Sequence, residues 1–129
     1  MNMKMTEKNI LREIARLLAE LDVATYGDDN HRCRTIPPSV SRFHLCTTQI
    51  FKLIDELVAN YQPDYISNSD YYYICDCERS IKLELDVLKD NKRLHGQQLT
   101  WALEPYWEKL QSQLRGMVDI DAYSSLLKE

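Results

Sequence analysis

Three pairs of histidine or cysteine, each separated by one residue, are the first candidates for chemistry in this sequence. They are His31 with Cys33, His44 with Cys46, and Cys75 with Cys77. A zinc site needs four ligands in a tetrahedron, usually histidine or cysteine. Residues two apart on a helix point about 200° away from each other, so one helix cannot offer such a pair to one ion. We therefore expect no metal at the pairs in helical patterns. The loop pair at 31 and 33 keeps a small His/Cys metal protein or enzyme as an alternative.

A cysteine nucleophile is the second kind of chemistry that these residue types permit. It would need a base within hydrogen-bond reach and a group that orients that base, and no local motif around the four cysteines supplies them. The acidic residues of Asp55-Glu56 are adjacent, so they diverge on a helix. We therefore predict that the protein is not an enzyme and binds no cofactor. Cys46 and Cys77 are then expected to be small buried hydrophobic residues.

Cationic residues cluster in the connection after the first helical pattern and at the start of the second. Arg32, Arg34 and Arg42 could contact phosphates there. The formal net charge of the chain is −4. That charge disfavours binding to nucleic acid or to an anionic membrane, because both reward a basic face. A nucleic-acid-associated subunit that uses the 31–44 segment is therefore kept as an alternative function.

Length and composition limit the architecture. The 129 residues fit a single domain over 1–129, and three glycines and four prolines are few for a turn-rich β protein. No apolar run approaches the length of a bilayer span, and no apolar core of a signal peptide follows the first residues. We expect a cytoplasmic protein that makes no membrane contact and keeps its cysteines as reduced thiols.

Apolar residues recur at steps of three and four in long segments, a pattern typical of amphipathic helices. The predicted helices cover residues 6–25, 39–61, 70–95, 97–116 and 120–128. Thr6 is the expected N-cap of the first helix, and Ser39 or Ser41 that of the second. Pro105 should kink the fourth helix or start a second segment. Helices with one apolar side must bury it against one another. We therefore predict an all-α fold, a compact bundle of four main helices plus a short C-terminal helix.

Residues 70–77 read DYYYICDC and carry the least ordinary composition in the chain. Tyrosine and isoleucine favour strands, so a strand over 71–75 is the alternative to a helix there. Ser67 followed by Asp70 resembles a capping box and favours the helix. On a helix, the tyrosines at 71–73 would spread over about 200°, so at least one must face solvent or a partner.

Aromatic residues within and beyond this acidic stretch predict a protein-binding surface. Tyrosine and tryptophan anchor interfaces because they bring a large area and a polar group, and acidic charge complements a basic partner. The candidate partner-binding residues are Asp70, Tyr71, Tyr72, Asp76, Trp101 and Trp107. Leu83 and Val87 fall on a second side of the third helix, which makes a homodimer plausible. We predict a small acidic cytoplasmic interaction protein of the inhibitor, immunity-protein, adaptor or assembly-subunit type, whose partner is another protein.

Overall fold

Four long helices form the part of the protein that the structure describes. The structure, a computed structural model, describes residues 6–30, 34–63, 66–90, 94 and 97–115. The helices are α1 (Glu7–Tyr26), α2 (Val40–Tyr61), α3 (Asn68–Asp90) and α4 (Gln97–Arg115). The predicted all-α fold is confirmed. The predicted helix over 120–128 lies outside the described residues.

The helices pack as a ring in which α1 and α3 each contact both α2 and α4. The backbone N–H of Ser39 donates to the Ala24 carbonyl at 2.9 Å and ties the start of α2 to the end of α1. Tyr71, near the start of α3, likewise meets Asp55, near the end of α2. Short connections join antiparallel neighbours in such bundles. Consecutive helices therefore alternate in direction.

One hydrophobic core fills the ring and takes apolar side chains from all four helices. Its most deeply buried large members are Phe43, Ile10, Ile14, Leu17, Leu18, Leu21, Ile50, Ile54, Leu57, Ile81, Leu103 and Leu110. Cys46 and Cys77 are buried among them, which confirms their predicted role as small hydrophobic residues. The buried hydroxyl of Thr25 donates to the Leu21 carbonyl at 2.8 Å. Across the described part of the chain, no buried side-chain nitrogen or oxygen lacks a hydrogen-bond partner.

Side-chain caps fix where the first three helices begin. Thr6 accepts the Asn9 N–H at 3.1 Å, and Ser39, rather than Ser41, accepts the Arg42 N–H at 3.2 Å. Before α3, the Ser67 hydroxyl accepts the Asp70 N–H at 3.1 Å. The Asp70 carboxylate in return accepts the Ser67 N–H at 3.2 Å. This reciprocal pair is the predicted capping box. It starts α3 at residue 68 instead of 70, and residues 71–75 are helical rather than a strand.

The connection between α1 and α2 contains an antiparallel hairpin, where the sequence predicts a loop. Strand β1 (Asp28–Asn30) pairs with β2 (Arg34–Ile36). The prediction fails because three-residue strands are too short to show a period of two. Gly27 precedes the hairpin with φ 77° and ψ 177°, a backbone region that is almost closed to residues with a Cβ. Its N–H donates to the Val23 carbonyl at 2.7 Å and ends α1.

The third and fourth helices differ from prediction in their extent. Leu94 lies outside α3, so the predicted extension to residue 95 is wrong. Pro105 lies inside α4, which is assigned as one helix. Because proline has no N–H, the carbonyl of Trp101 loses its usual helical donor. In the described ranges, no helix combines the length and the apolarity that crossing a bilayer requires.

Candidate interaction surface

The first two candidate partner-binding residues, Asp70 and Tyr71, take part in contacts within the fold. Asp70 caps α3, as described above. The Tyr71 hydroxyl donates to the Asp55 carboxylate at 2.7 Å and joins α3 to α2. This hydrogen bond to a carboxylate raises the pKa of Tyr71, because the neutral phenol is the form that donates. Both side chains are half-buried, which leaves them little surface for a partner.

The next two candidates, Tyr72 and Asp76, are exposed. Tyr72 is 77% exposed, which confirms that at least one tyrosine of the run faces solvent. Its neighbour Tyr73 lies under the Lys109 ammonium, which is 5.6 Å from the ring centroid. That cation–π contact links α3 to α4. Tyr72 and Asp76 are therefore the candidates of α3 that remain available to a partner.

The two tryptophans have opposite environments. Trp107 is 4% exposed and belongs to the core, so this candidate lies on the apolar stripe of α4 and has almost no surface to offer a partner. The stripe is wide enough to include it, because α4 packs against both α1 and α3. Trp101 is 62% exposed. Lys109 of α4 lies beside Tyr73, near the start of α3. Trp101 lies about 12 Å from Lys109 along the axis of α4. Tyr72 and Trp101 thus belong to different parts of the surface.

A row of exposed residues follows the outer side of α3, and we name it the α3 stripe. It consists of Tyr72, Asp76, Arg79, Leu83 and Val87, all of them exposed. At about 100° per residue, the five side chains fall within about 80° of helix surface. The buried residues of the same helix, such as Ile74 and Ile81, lie on the opposite side. Leu83 and Val87 are 66% and 61% exposed.

The sequence predicts only part of this stripe. The prediction places Leu83 and Val87 on a second side of the helix, but it does not join them to Tyr72 and Asp76 and does not include Arg79. The available signal was the spacing, because steps of four, three, four and four residues keep side chains on one helical face.

The cationic candidates are only partly described. Arg42 is exposed in the first turn of α2. Arg34 lies in strand β2, and its side chain is outside what the structure describes, as is the whole of Arg32. The described residues therefore position one of the three guanidinium groups.

The thiols of the core are held in their protonated form. Burial raises the pKa of Cys46 to about 11, and the neighbouring Glu20 carboxylate adds to the effect. The Cys46 Sγ lies 3.9 Å from a Glu20 oxygen. Burial also raises the pKa of Cys77. Among the residues with described positions, no three or more histidine, cysteine, aspartate or glutamate side chains are grouped to hold a metal ion.

The described surface includes open clefts, two of which are lined entirely by described residues. One, of about 340 Å³, is lined by Glu13, Gln49, Lys52, Leu53 and Glu56. The other, of about 480 Å³, is lined by Val58, Ala59, Gln62, Pro63, Ile66 and Asn68. Neither lining includes a histidine or a cysteine. In the first cleft, Glu13 is also engaged by Arg16 through a hydrogen-bonded ion pair.

No protein-family model matches this chain, and no curated protein or solved structure shows significant similarity to it.

Proposed function

We propose that this protein acts in the cytoplasm as a non-enzymatic binding protein of the inhibitor, adaptor or assembly-subunit type. Its partner is a protein, and the contact is made by the α3 stripe. The observation that carries this proposal is the exposure of Tyr72, Leu83 and Val87 on one side of one helix.

The arrangement of these three residues supports a binding role. Single exposed apolar residues are common on proteins and need no explanation. Here three large ones share one helical face and extend from Tyr72 to Val87, about 22 Å of helix. A helix face with apolar residues at such spacing is a common docking element, because a complementary groove or helix can bury the whole row at once.

The charged residues of the stripe favour specific binding over nonspecific hydrophobic association. Asp76 and Arg79 separate the aromatic residue from the two aliphatic ones and are themselves exposed. Charged groups at an interface contribute mainly to orientation and to the exclusion of wrong partners. A partner of the stripe must therefore offer apolar contacts at both ends and complementary charges between them.

The two buried thiols, Cys46 and Cys77, are poor candidates for thiolate chemistry. The thiolate is the form of cysteine that attacks a substrate or binds a metal. With a pKa of about 11, Cys46 is a thiol at neutral pH. The raised pKa of Cys77 has the same consequence.

The test is quantitative capture from the native cell. Tagged wild-type protein and the double variant Tyr72→Ala/Leu83→Ala are used as baits, and captured proteins, including untagged copies of the chain itself, are measured by mass spectrometry. We expect the double variant to lose at least one specifically captured protein, because two anchors of the stripe are removed. Circular dichroism and thermal melting verify that the bait is folded, since both positions are exposed.

The matched control is Leu45→Ala combined with Trp101→Ala. These residues are 59% and 62% exposed but lie on α2 and α4. The control bait should capture the same proteins as the wild type. An identical set of captured proteins for the wild type and the stripe variant would show that the stripe is not the binding surface.

A further inference from the structure

We infer that the α3 stripe binds the α3 stripe of a second copy of this chain, with the two helices antiparallel about a two-fold axis. This inference names the partner and rests on the proposed function of the stripe as a protein-binding surface. It follows from the order and the spacing of the charged and apolar residues on the stripe.

The spacing of the first four residues of the stripe matches the seam of a two-helix contact, and Val87 lies beside that seam. Tyr72, Asp76, Arg79 and Leu83 are separated by four, three and four residues. Alternating steps of three and four are the a and d positions of a heptad, whose side chains interlock with those of a facing helix. The order of these steps is the same in both chain directions. A seam that packs against an antiparallel copy of itself requires this.

Antiparallel pairing of two copies sets unlike residues opposite one another. Asp76 of each copy faces Arg79 of the other, and Tyr72 of each faces Leu83 of the other. Every such contact occurs twice in a two-fold interface, because residue i of each copy contacts residue j of the other. The pairing therefore produces two ion pairs at the centre and one aromatic–aliphatic contact on each side of them.

The charges select both the orientation and the partner. In a parallel pair, Asp76 would face Asp76 and Arg79 would face Arg79, which is repulsive. A purely basic partner would satisfy Asp76 but would repel Arg79. Only a surface that carries both charges in the reverse order satisfies both residues, and a second copy of the chain supplies it.

Apolar burial and ion pairing contribute differently to this dimer. Ion pairs between solvent-exposed side chains add little affinity but penalise a wrong register. Burial of Tyr72 against Leu83 supplies the main attraction. One helix from each copy makes a small interface, so the dimer should dissociate on dilution.

The test uses the purified full chain alone in sedimentation velocity over a range of concentrations. We expect a reversible monomer–dimer equilibrium. Asp76→Arg alone and Arg79→Asp alone should each weaken association at least about tenfold, because each converts two attractive pairs into two repulsive ones. The swap Asp76→Arg/Arg79→Asp restores opposite charges across the two-fold axis and should return affinity to within about threefold of the wild type.

The matched control is Leu45→Glu, a charge placed at an equally exposed leucine on α2, which should leave the equilibrium unchanged. Circular dichroism establishes that each variant is folded. A monomer at all concentrations, single reversals without effect, or a swap that fails to restore association would each overturn the antiparallel dimer. If the purified chain stays monomeric while capture of another protein still depends on Tyr72 and Leu83, the dimer is wrong and the proposed function stands. If that dependence is also absent, both are wrong.

Discussion

Three consecutive tyrosines at the start of α3 have three different environments. Tyr71 donates a hydrogen bond to Asp55, Tyr72 projects into solvent, and Tyr73 packs beneath the Lys109 ammonium. The helical step of about 100° per residue separates them. Residues of the same type therefore divide between stabilising the fold and facing outward, and only the second group is available for binding.

Replacement of Tyr71 by Phe should lower the free energy of unfolding by about 1 kcal/mol, because it removes the hydrogen bond between α3 and the Asp55 carboxylate while keeping the ring. Tyr72→Phe is the matched control and should change it by less than about 0.5 kcal/mol, since that side chain is exposed. Urea unfolding monitored by circular dichroism measures both values.

The effect of Tyr71→Phe should depend on pH in a defined direction. The pKa of Tyr71 is raised in the folded protein by its hydrogen bond to Asp55. The folded state therefore holds the phenolic proton more tightly than the unfolded chain, and the stabilisation is complete below about pH 10, near the ordinary tyrosine pKa. The difference between wild type and variant should shrink as pH rises above that value. A difference that grew with pH would contradict this account of the contact.

At the scale of the element, local hydrogen bonds decide where α3 begins. The capping box of Ser67 and Asp70 satisfies two backbone N–H groups at the start of the helix. It also starts the helical register that puts the α3 stripe on the side opposite the core. The cap therefore helps to hold the stripe in place, because both belong to one continuous helix.

Ser67→Ala should lower the free energy of unfolding by about 1 kcal/mol, because the Asp70 N–H loses its acceptor. Ser69→Ala is the control, two residues further along and exposed. Its effect should be smaller, since Ser69 takes no part in the reciprocal bonds of the box. Equal losses in the two variants, measured by thermal melting, would show that the box does not set the stability of this end of the helix.

At the scale of the whole molecule, the ring of helices separates two tryptophans that the sequence treats alike. Trp107 is covered by the core, whereas Trp101 projects from the outer side of α4. Trp107→Ala should therefore destabilise the protein by about 3–5 kcal/mol through the lost burial and the cavity left behind. Trp101→Ala should cost less than about 1 kcal/mol. Denaturant unfolding compares the two, and similar costs would contradict the assigned burial.

The sequence by itself determined the described helices of this protein, but not the short hairpin between α1 and α2. Apolar steps of three and four residues identified the four described helices, and polar residues at the starts of the first three identified their candidate caps, because both signals act within a few turns of one helix. The same periodicity showed that Leu83 and Val87 lie away from the main apolar side of α3. Local patterns carried this information, and no knowledge of neighbouring helices was needed.

Only the tertiary structure decided which side chains remain exposed. Trp107 became part of the core because α4 has neighbours on two sides, and Tyr71 became a contact between helices because Asp55 of α2 lies within reach. Antiparallel packing of α3 and α4 also separated Tyr72 from Trp101. Burial depends on what the rest of the chain places beside a residue, and periodicity along one helix carries no information about that neighbour.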